Sequence, residues 1–393
     1  MAAVRDPADL SRRVSGVEAI AVDFNCDTTP EVWMPRLAGI EAVINCAGVL
    51  HGGRGQDMLA IHATTPIALF EACQRTGTKR VVQVSAISAE ADTAYSRTKK
   101  RADDYLCTMP LSWTVIRPSL VYGGGSYGGT STLRGLAGLP LIAPAIDGGA
   151  ALFRPIHIDD VVETVARVIE SDRFVRRIVE PVGPEALTLG DIVARYRAWL
   201  GLAPGWRISV PGWALRSVAR VADVAGGGPM GSAGLQQMLA GNAGHEAAGA
   251  FAAEIGFAPS AMDDYLSRRP AQTQDLWHAR LYFARPLLRV ALALMWLVSA
   301  LAGVLLPSEH YDDVAPQSVA WAFSGLDFMI GLALLARWKP RWLAAAQLIL
   351  VGGYTVGLTL LTPGLWLDPY GGLLKNLPIL SAIAIWAVLE EER

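Results

Sequence analysis

The C-terminal part of this chain contains four long apolar windows, and they constrain its fold more than any other feature. They cover about residues 287–306, 319–336, 343–361 and 373–389. A helix needs about 20 predominantly apolar residues to cross the hydrocarbon core of a bilayer. Four such segments in succession, joined by short loops, are hard to bury inside a soluble protein of this size. We therefore predict an all-α, four-helix transmembrane domain over residues 277–393.

The composition of the whole chain fits a protein that is partly embedded in lipid. Of its 393 residues, 52% are hydrophobic and 18% are charged, against about 25% charged residues in an ordinary soluble domain. Lys and Arg number 34 and Asp and Glu 36, so no basic excess is available to neutralise a phosphate backbone. We expect a lipid bilayer as a partner and no nucleic acid.

The cysteines give no sign of a metal site or of a disulfide framework. Cys26, Cys46, Cys73 and Cys107 show neither a CxxC motif nor a Cys/His spacing typical of zinc. We therefore predict no metal and a reducing compartment. The first thirty residues contain neither the apolar stretch nor the cleavage site of a signal peptide, so the membrane segments are expected later in the chain.

The flanks of the apolar windows predict their orientation. Arg280, Arg285 and Arg289 precede the first window, and the basic loop 337–342 joins the second to the third, whereas the loop 307–317 has acidic residues but no Lys or Arg. Basic flanks face the cytoplasm. Because the number of spans is even, we expect a multi-pass protein of a bacterial-type inner (plasma) membrane with both termini in the cytoplasm.

One acidic residue, Asp327, lies in the middle of the second window. A charge at that depth is costly unless it is paired or neutralised. One interpretation is a contact with a proton pathway or with the headgroup of a quinone. The other is a packing hydrogen bond to another intramembrane polar group such as Gln347 or Tyr354, or a neutral carboxyl group. The sequence leaves the two interpretations open.

Residues 1–170 alternate short β-branched runs with amphipathic stretches of helix length. This alternation predicts an α/β fold with a doubly wound parallel sheet and crossover helices. The predicted helices cover 57–76 and 93–107, and the predicted strands are Ala19–Val22, Ala42–Asn45, Val81–Val84 and Trp113–Ile116.

Three candidate catalytic residues follow the third of these strands. Ser85 comes directly after it, and the next helix carries Tyr95 and Lys99. A spacing of four residues places Tyr95 and Lys99 on one face of that helix. A phenol has an ordinary pKa of about 10, and a nearby ammonium group favours the phenolate. We therefore expect Lys99 to lower the pKa of Tyr95 toward the range of a general acid or base, with Ser85 hydrogen-bonded to the substrate oxygen.

The context of these residues carries a family resemblance. The segments Asn45-Cys46-Ala47-Gly48, Arg117-Pro118-Ser119-Leu120-Val121-Tyr122-Gly123 and Pro155-Ile156-His157-Ile158-Asp159-Asp160 stand at the ends of predicted strands or at the start of a helix. Together with Tyr95 and Lys99, they resemble the short-chain dehydrogenase/reductase superfamily. The resemblance is to its extended and atypical branches, which include the nucleotide-binding accessory subunit of respiratory complex I. It covers residues 1–270 and implies a Rossmann-type sheet.

The resemblance also implies cofactor contacts. It assigns Lys99 to the nicotinamide ribose as well as to catalysis, and Arg5 to the 2′-phosphate of NADP, which favours NADP while leaving NAD open. Asp23 and Phe24 would contact adenine, Ala47 and Gly48 the linker, and Pro118, Ser119 and Val121 the nicotinamide.

This chain departs from the family pattern at two places. His62 stands where an Asn is usual, so it is either part of a proton relay or a surface histidine, and Ser88 is a lesser candidate for the role of Ser85. The Gly-rich first turn, which brings the pyrophosphate to a helix N-terminus, has no counterpart. Met1–Asp6 resembles the end of the second strand, so about 30 residues are expected to be missing. The cause is either a start assigned too late, which we favour, or a true loss of the segment, and we expect poor nucleotide binding by the chain as written.

The remainder of the chain completes the predicted organisation. Residues 171–270 would form a small substrate lobe, with helices over 187–200 and 211–225, and residues 271–276 a linker. The four apolar windows, with the segments 366–370 and 375–378, resemble the DoxX-like family of small four-helix membrane proteins. Some DoxX relatives are associated with quinone-linked oxidation, so the resemblance suggests a quinone or a membrane complex as a partner.

We therefore predict a membrane-anchored NAD(P)-dependent oxidoreductase that transfers hydride to or from the carbonyl or alcohol carbon of a small molecule, with Tyr95 as acid or base. Two alternatives remain open. One is an epimerase or dehydratase that uses the same groups. The other is a non-catalytic nucleotide-binding scaffold that assists assembly of a membrane complex.

Overall fold

The computed structural model describes residues 1–50, 52, 55–87, 93–125, 128–146, 151–224, 231–244, 248–306, 317–369 and 371–391. The chain forms two compact units, Met1–Ala279 and Arg280–Arg393. Two features of the sequence analysis lie outside the described residues: Ser88 and the acidic side chains of the loop 307–317.

The strands of the first unit are short. They are β1 (Ala2–Val4), β2 (Ala19–Ala21), β3 (Ala42–Asn45), β4 (Arg80–Val84), β5 (Trp113–Ile116), β6 (Val121–Tyr122), β7 (Ile142–Ile146), β8 (Leu152–Phe153), β9 (Ile156–His157), β10 (Arg177–Val179), β11 (Leu187–Thr188) and β12 (Trp206–Val210).

The helices of the first unit lie between some of these strands and after the last of them. They are α1 (Pro7–Arg13), α2 (Pro30–Trp33), α3 (Thr65–Thr76), α4 (Ala94–Thr108), α5 (Gly128–Gly138), α6 (Ile158–Glu170), α7 (Leu189–Trp199), α8 (Gly212–Val224), α9 (Ser232–Ala240), α10 (Ala248–Ile255) and α11 (Met262–Arg268). A π-helical segment, Ala60–Thr64, leads directly into α3.

The main sheet confirms the predicted Rossmann-type architecture. Four parallel strands pair in the order β10-β5-β4-β3, and β1 pairs with β2 in a separate parallel ladder. Val82, Val115 and Ile116 are fully buried, as expected for parallel strands that are covered on both faces by helices. All four strands predicted from the sequence are present within two residues of their predicted bounds.

A gap interrupts the sheet between β1 and β3. Within the part of the chain that the structure describes, no ladder joins these two strands. Residues of both strands instead line one groove of about 660 Å³, together with apolar side chains such as Val22 and Leu69. Ile44, in the middle of β3, is 45% exposed. The sheet is therefore open at its middle.

Local sequence signals explain where the helices around the site begin. Thr93 caps α4, because its Oγ1 accepts a hydrogen bond from the backbone N–H of Ser96 at 3.1 Å. Thr188 and Asp191 form a reciprocal capping box at the start of α7. The predicted helix over 187–200 accordingly starts two residues later than expected, because Leu187 and Thr188 form β11 and its cap.

The second unit consists of long apolar helices. They are α12 (Thr273–Leu305), whose first residues belong to the first unit, α13 (Gln317–Leu335), α14 (Pro340–Leu361) and α15 (Asn376–Leu389). Among the described residues, three helices, α12, α13 and α14, are long and apolar enough to cross a membrane. At a rise of about 1.5 Å per residue, the 14 residues of α15 reach about two thirds of the hydrocarbon thickness.

Two details of the second unit differ from the sequence predictions. The helix α12 is continuous from Thr273, so most of the predicted linker at 271–276 is helical. The helix α15 begins at Asn376 rather than near Leu373, and its Asn376 side chain donates to Thr355 Oγ1 on α14 at 2.9 Å. The preceding residues form a turn instead of extending the helix.

A buried carboxylate connects three elements at one end of the second unit. The Glu390 side chain is fully buried and lies 3.1–3.4 Å from guanidinium groups of Arg285, Arg289 and Arg337. The end of α15, the early part of α12 and the loop between α13 and α14 therefore meet at the same end of this unit.

Candidate functional site

The candidate catalytic residues lie at the carboxyl ends of β3, β4 and β5. Ser85 follows β4 directly, and α4 carries Tyr95 and Lys99 one turn apart. Ligands of open parallel sheets bind at this edge. The structure therefore brings together the three residues that the sequence selects, and the helix cap at Thr93 sets where α4 places the last two.

The Lys99 side chain forms hydrogen bonds at the ends of two strands. Its Nζ donates to the carbonyl oxygen of Ala47 at 3.0 Å and to that of Val84 at 3.2 Å, and the side chain is 4% exposed. Burial lowers the pKa of this ammonium group to about 8. A Cβ atom at Gly48 would lie 3.0 Å from Nζ, so the glycine keeps a space open beside the amine.

The pKa of Tyr95 is shifted in the direction opposite to the one expected from the sequence. Burial, with a smaller contribution from the negative charge of Asp103, raises the pKa of the phenol to about 12. The expectation that Lys99 would lower this pKa is wrong for this arrangement. The physical reason is that the Lys99 amine is bonded to backbone carbonyl groups, while desolvation of the phenol opposes the phenolate.

Ser85 is part of a buried network that the sequence analysis missed. Its Oγ donates to Oδ2 of Asp103 at 2.8 Å, and the same oxygen accepts from Nε of Arg117 at 3.1 Å. Asp103 is fully buried and Arg117 is 5% exposed. Burial raises the pKa of the Asp103 carboxyl group. Asp103 follows Lys99 by four residues on α4, so the spacing that links Tyr95 to Lys99 extends by one more turn and could have identified it.

His62 is not the surface histidine that one of its two interpretations described. It is 1% exposed and lies in the π-helical segment before α3, so it is not a surface residue. Its Nε2 accepts from the backbone N–H of Val49 at 2.9 Å, and its Nδ1 lies 2.9 Å from Thr98 Oγ1. Burial lowers its pKa to about 3. Both ring nitrogens therefore have protein partners, and the imidazole is neutral.

A cavity of about 240 Å³ lies next to Ser85 and Tyr95. Pro118, Ser119 and Val121 line it as well. Ser119 Oγ donates to the carbonyl oxygen of Asn242 at 2.5 Å and accepts from the backbone N–H of Arg154 at 3.3 Å. The hydroxyl group of Ser119 is therefore used within the protein, although the residue is in the wall of the cavity.

Two polar residues of the predicted small lobe also line this cavity. They are Gln237 and Asn242. The amide nitrogen of Gln237 donates to Thr93 Oγ1 at 2.5 Å and to Ser96 Oγ at 3.0 Å. Asn242 Oδ1 is buried without a hydrogen-bond partner among the described residues. No motif marked either residue, because their position depends on how the lobe packs over the sheet.

The other cofactor candidates lie along the groove between β1 and β3. Arg5, Phe24, Ala47 and Gly48 line it. Arg5 is exposed at the end of β1, whereas Phe24 packs edge-on against Trp33 with the ring centroids 5.6 Å apart. Asp23 instead shapes a turn, since its Oδ1 accepts from the backbone and the side-chain nitrogens of Asn25 at 2.9 and 2.8 Å.

The described residues contain no group of three or more His, Cys, Asp or Glu side chains that could hold a metal ion.

Comparisons with known proteins divide the chain in two. Residues 1–136 match the family model described as NAD(P)H-binding, and residues 293–384 match that of the DoxX-like family. No curated protein matches this chain in sequence.

Solved structures resemble the first unit in fold. The structure titled gox2253 has a TM-score of 0.52 at 19% identity and covers 71% of this chain and 90% of its own. The dTDP-glucose 4,6-dehydratase of Bacillus anthracis, in complex with NAD, has a TM-score of 0.51 at 14% identity, with coverages of 71% and 86%. DesIV, a dTDP-glucose 4,6-dehydratase from Streptomyces venezuelae solved with NAD and TYD bound, has a TM-score of 0.50 at 16% identity, with coverages of 70% and 84%.

These similarities agree with the architecture described above. They confirm the predicted Rossmann-type fold and the predicted NAD(P) cofactor class, and they do not distinguish NAD from NADP. The chain combines an NAD(P)H-binding domain of Rossmann type with a C-terminal DoxX-like domain that contains candidate membrane-spanning helices.

Proposed function

We propose that this protein is a membrane-anchored NAD(P)-dependent oxidoreductase that acts on the carbonyl or alcohol carbon of a small molecule. The observation that carries the proposal is the shared cavity of Ser85 and Tyr95, with Lys99 on the same helix at the ends of β3 and β4. A residue with a phenol group and a residue with a hydroxyl group thus line the same cavity. Residues 1–270 would carry this activity.

The residues around Lys99 fit the nicotinamide half of the cofactor. The space beside Gly48, which a Cβ atom would fill, lies against the Lys99 amine, so a ribose could approach that cation. Pro118, Ser119 and Val121 line the adjoining cavity, where the nicotinamide would lie. Arg5 and Phe24 line the groove on the other side, and the exposed cation of Arg5 favours the 2′-phosphate of NADP. When bound, the nicotinamide supplies or accepts the hydride.

The protonation state of Tyr95 favours reduction of a carbonyl group at neutral pH. Because its pKa is raised to about 12, the phenol is protonated and can donate its proton to the oxygen that becomes the alcohol. Ser85 directs its own proton to Asp103, so its oxygen can accept a hydrogen bond from a substrate hydroxyl group.

The test is steady-state turnover and cofactor binding by the full-length protein in detergent or nanodiscs. NADPH and NADH are each tested as the cofactor with a panel of carbonyl substrates. The Tyr95→Phe variant is compared with Tyr105→Phe. Tyr105 is on the same helix, but its hydroxyl group donates to Glu71 at 2.6 Å. We expect Tyr95→Phe to lower kcat/KM by at least about a hundredfold while cofactor binding persists, and Tyr105→Phe to have little effect.

Other outcomes of the same test identify the alternatives. Unchanged turnover in Tyr95→Phe would remove Tyr95 from the mechanism. Isomerisation or dehydration of a substrate without net consumption of the cofactor would identify an epimerase or dehydratase. Tight cofactor binding without any turnover would favour the non-catalytic scaffold. The gap between β1 and β3 is the observation that favours this scaffold, because an open sheet weakens the support of a nucleotide site.

We further propose a multi-pass location in a bacterial-type inner (plasma) membrane, with both termini in the cytoplasm. The clustering of Arg285, Arg289, Arg337 and Glu390 at one end of the second unit supports a shared cytoplasmic side. Labelling of single cysteines introduced at positions 341 and 364 with a membrane-impermeant reagent tests it.

The quinone or membrane-complex partner stays a prediction, which NADPH-dependent reduction of a soluble quinone analogue would test.

A further inference from the structure

The cavity beside Ser85 and Tyr95 has a wall without charged side chains. Among the described residues that line it, none is Lys, Arg, His, Asp or Glu. The buried charged groups of the site are not part of this wall: Lys99 donates to backbone carbonyl groups, and Asp103 pairs with Arg117. A ligand in the cavity therefore meets no described side chain that would balance a charge of its own.

Apolar side chains from several elements form much of the wall. The larger ones are Leu50, Leu120, Val121, Leu133, Phe153, Leu189 and Met238. Leu133 on α5, Phe153 on β8 and Leu189 on α7 also belong to one buried core cluster, which fixes their positions. An apolar part of a ligand gains free energy when it leaves water for such a surface.

Several hydrogen-bonding side chains of the wall are already engaged within the protein. The hydroxyl protons of Ser85 and Ser119 go to protein acceptors. Gln237 uses both N–H protons of its amide group on hydroxyl groups of the protein, and Asn242 Oδ1 is buried, out of reach of a ligand. A ligand with many hydroxyl groups would therefore lose hydrogen bonds to water and find few replacements.

The volume of the cavity bounds the size of the ligand. It is about 240 Å³, below the roughly 300–1,000 Å³ of sites for drug-sized ligands. The nicotinamide is proposed to share this space along Pro118, Ser119 and Val121. The part of the substrate next to Tyr95 is therefore no larger than a small ring or a branched chain.

We propose that the substrate carries, beside its reacting carbonyl or alcohol carbon, a small, uncharged and largely apolar group such as an aliphatic ring. Charged and polyhydroxylated groups are disfavoured at this place, because the wall supplies neither counter-charges nor enough hydrogen bonds. This inference rests on the proposed function, since it names the substrate class of the same site. It concerns recognition, so binding tests it as well as turnover.

The experiment compares two ketones with the same ring and the same number of non-hydrogen atoms, 4-isopropylcyclohexanone and 4-oxocyclohexanecarboxylate. The full-length protein is studied in nanodiscs of zwitterionic lipid, and empty nanodiscs give the baseline for partition into lipid. Binding is measured by ligand-observed NMR without cofactor, and reduction is measured with NADPH or NADH. The matched variants are Met238→Arg and Gln236→Arg, both on α9. Met238 lines the cavity, whereas Gln236 is exposed and is not among the described lining residues.

We expect the wild type to bind the isopropyl ketone at least tenfold more tightly than the carboxylate, with the same order in kcat/KM. Met238→Arg places a cation in the wall and should reduce this preference at least tenfold, while Gln236→Arg should leave it within twofold. Equal binding of the two ketones by the wild type, tighter binding of the carboxylate, or no saturable binding of the isopropyl ketone would each overturn the inference. Equal preferences in the two arginine variants would overturn it as well.

Failure of the proposed function gives a different result. Binding with the expected preference but no reduction of either ketone would count against the oxidoreductase and would support the recognition inferred here. Preferential reduction of the carboxylate would support the oxidoreductase and overturn this inference. The comparison of the two ketones uses the wild type, so it does not depend on the folding of a variant.

Discussion

Asp103 in the first unit and Asp327 in the second are both buried carboxyl groups, yet they have different surroundings. Each accepts a hydrogen bond from one serine, Ser85 at 2.8 Å and Ser299 at 2.7 Å. In each, the second oxygen has no partner among the described residues. Asp103, however, also accepts from the buried guanidinium group of Arg117, whereas the described surroundings of Asp327 contain no such cation.

This difference separates a carboxyl group with a charged partner from one without such a partner among the described residues. The ionised form of Asp103 is compensated by a guanidinium group, so the network can hold Ser85 at the end of β4. Asp327 accepts from one neutral donor, and its other oxygen is buried without a partner among the described residues. Removing a partner should therefore have different consequences in the two units, and variants of each unit test this.

The largest effect is expected for Arg117→Met. This change leaves Asp103 buried without its cation, and breaking a buried ion pair costs about 3–5 kcal/mol. Thermal unfolding of the first unit in the full-length protein measures it. The control is Arg75→Met at the solvent-exposed pair Arg75–Glu31, which should give no measurable shift. A small effect of Arg117→Met would show that Asp103 is neutral in the folded protein, and the contrast with Asp327 would disappear.

A smaller effect is expected at Glu390, a buried acidic residue of the second unit that contacts guanidinium groups. Glu390→Gln removes the negative charge that three guanidinium groups share, and we expect a loss of about 1–3 kcal/mol. The loss is measured as the midpoint of thermal denaturation in detergent. Glu391→Gln is the neighbouring control, since Arg341 and Glu391 are both exposed. Equal midpoints for the two variants would contradict a stabilising role for the buried cluster.

Because of the buried His62, we expect the stability of the first unit to depend on pH. Its pKa is about 3 when folded and about 6.5 when unfolded. Below pH 6.5 the unfolded chain therefore binds a proton that the folded chain does not. Stability should fall as the pH decreases from 6.5 toward 3, by at most about 1.4 kcal/mol per pH unit.

The measurement is the unfolding midpoint at pH 7 and pH 5. His62→Gln keeps an acceptor for the N–H of Val49 and a donor for Thr98, but it does not titrate, so its pH dependence should be shallower. An identical slope in both proteins would mean that His62 is protonated in the folded state.

The smallest effect is expected for Asp327→Asn. The amide oxygen can still accept from Ser299, and no cation loses its partner, so stability should change by less than about 1 kcal/mol. Thermal denaturation in nanodiscs measures it, with Ser299→Ala as the comparison. A loss of more than about 2 kcal/mol would reveal a counter-charge at Asp327 and would bring it close to the behaviour of Asp103.

The sequence predicted most of the fold of this chain because its signals are local. Alternating apolar runs located β3 and β5 to the residue, and the length of the apolar windows located α12, α13 and α14. It was less accurate at element ends such as the start of α15, where a turn and a side-chain bond to Thr355 compete with helix extension. The spacing of Tyr95 and Lys99 on one helix face could be read directly, because it depends only on helical periodicity.

The parts of the site that the sequence missed depend on contacts between distant residues. Arg117 contacts Asp103 across 14 positions, and Gln237 reaches Thr93 across 144. No periodicity encodes such pairs. The pKa of Tyr95 was predicted in the wrong direction for the same reason: its burial and the orientation of the Lys99 amine are properties of the packed domain.

The sequence alone therefore predicted the two-part architecture, since apolar periodicity acts over a few residues, and the family resemblance of its strand-end motifs implied the cofactor class. Only the tertiary structure decided the charge states and partners at the sites. It showed that Ser85 donates to Asp103, that both nitrogens of His62 are occupied, and that one oxygen of Asp327 is buried without a partner among the described residues. The physical reason is that desolvation and hydrogen bonding are set by which distant side chains are packed together, and local sequence does not contain that information.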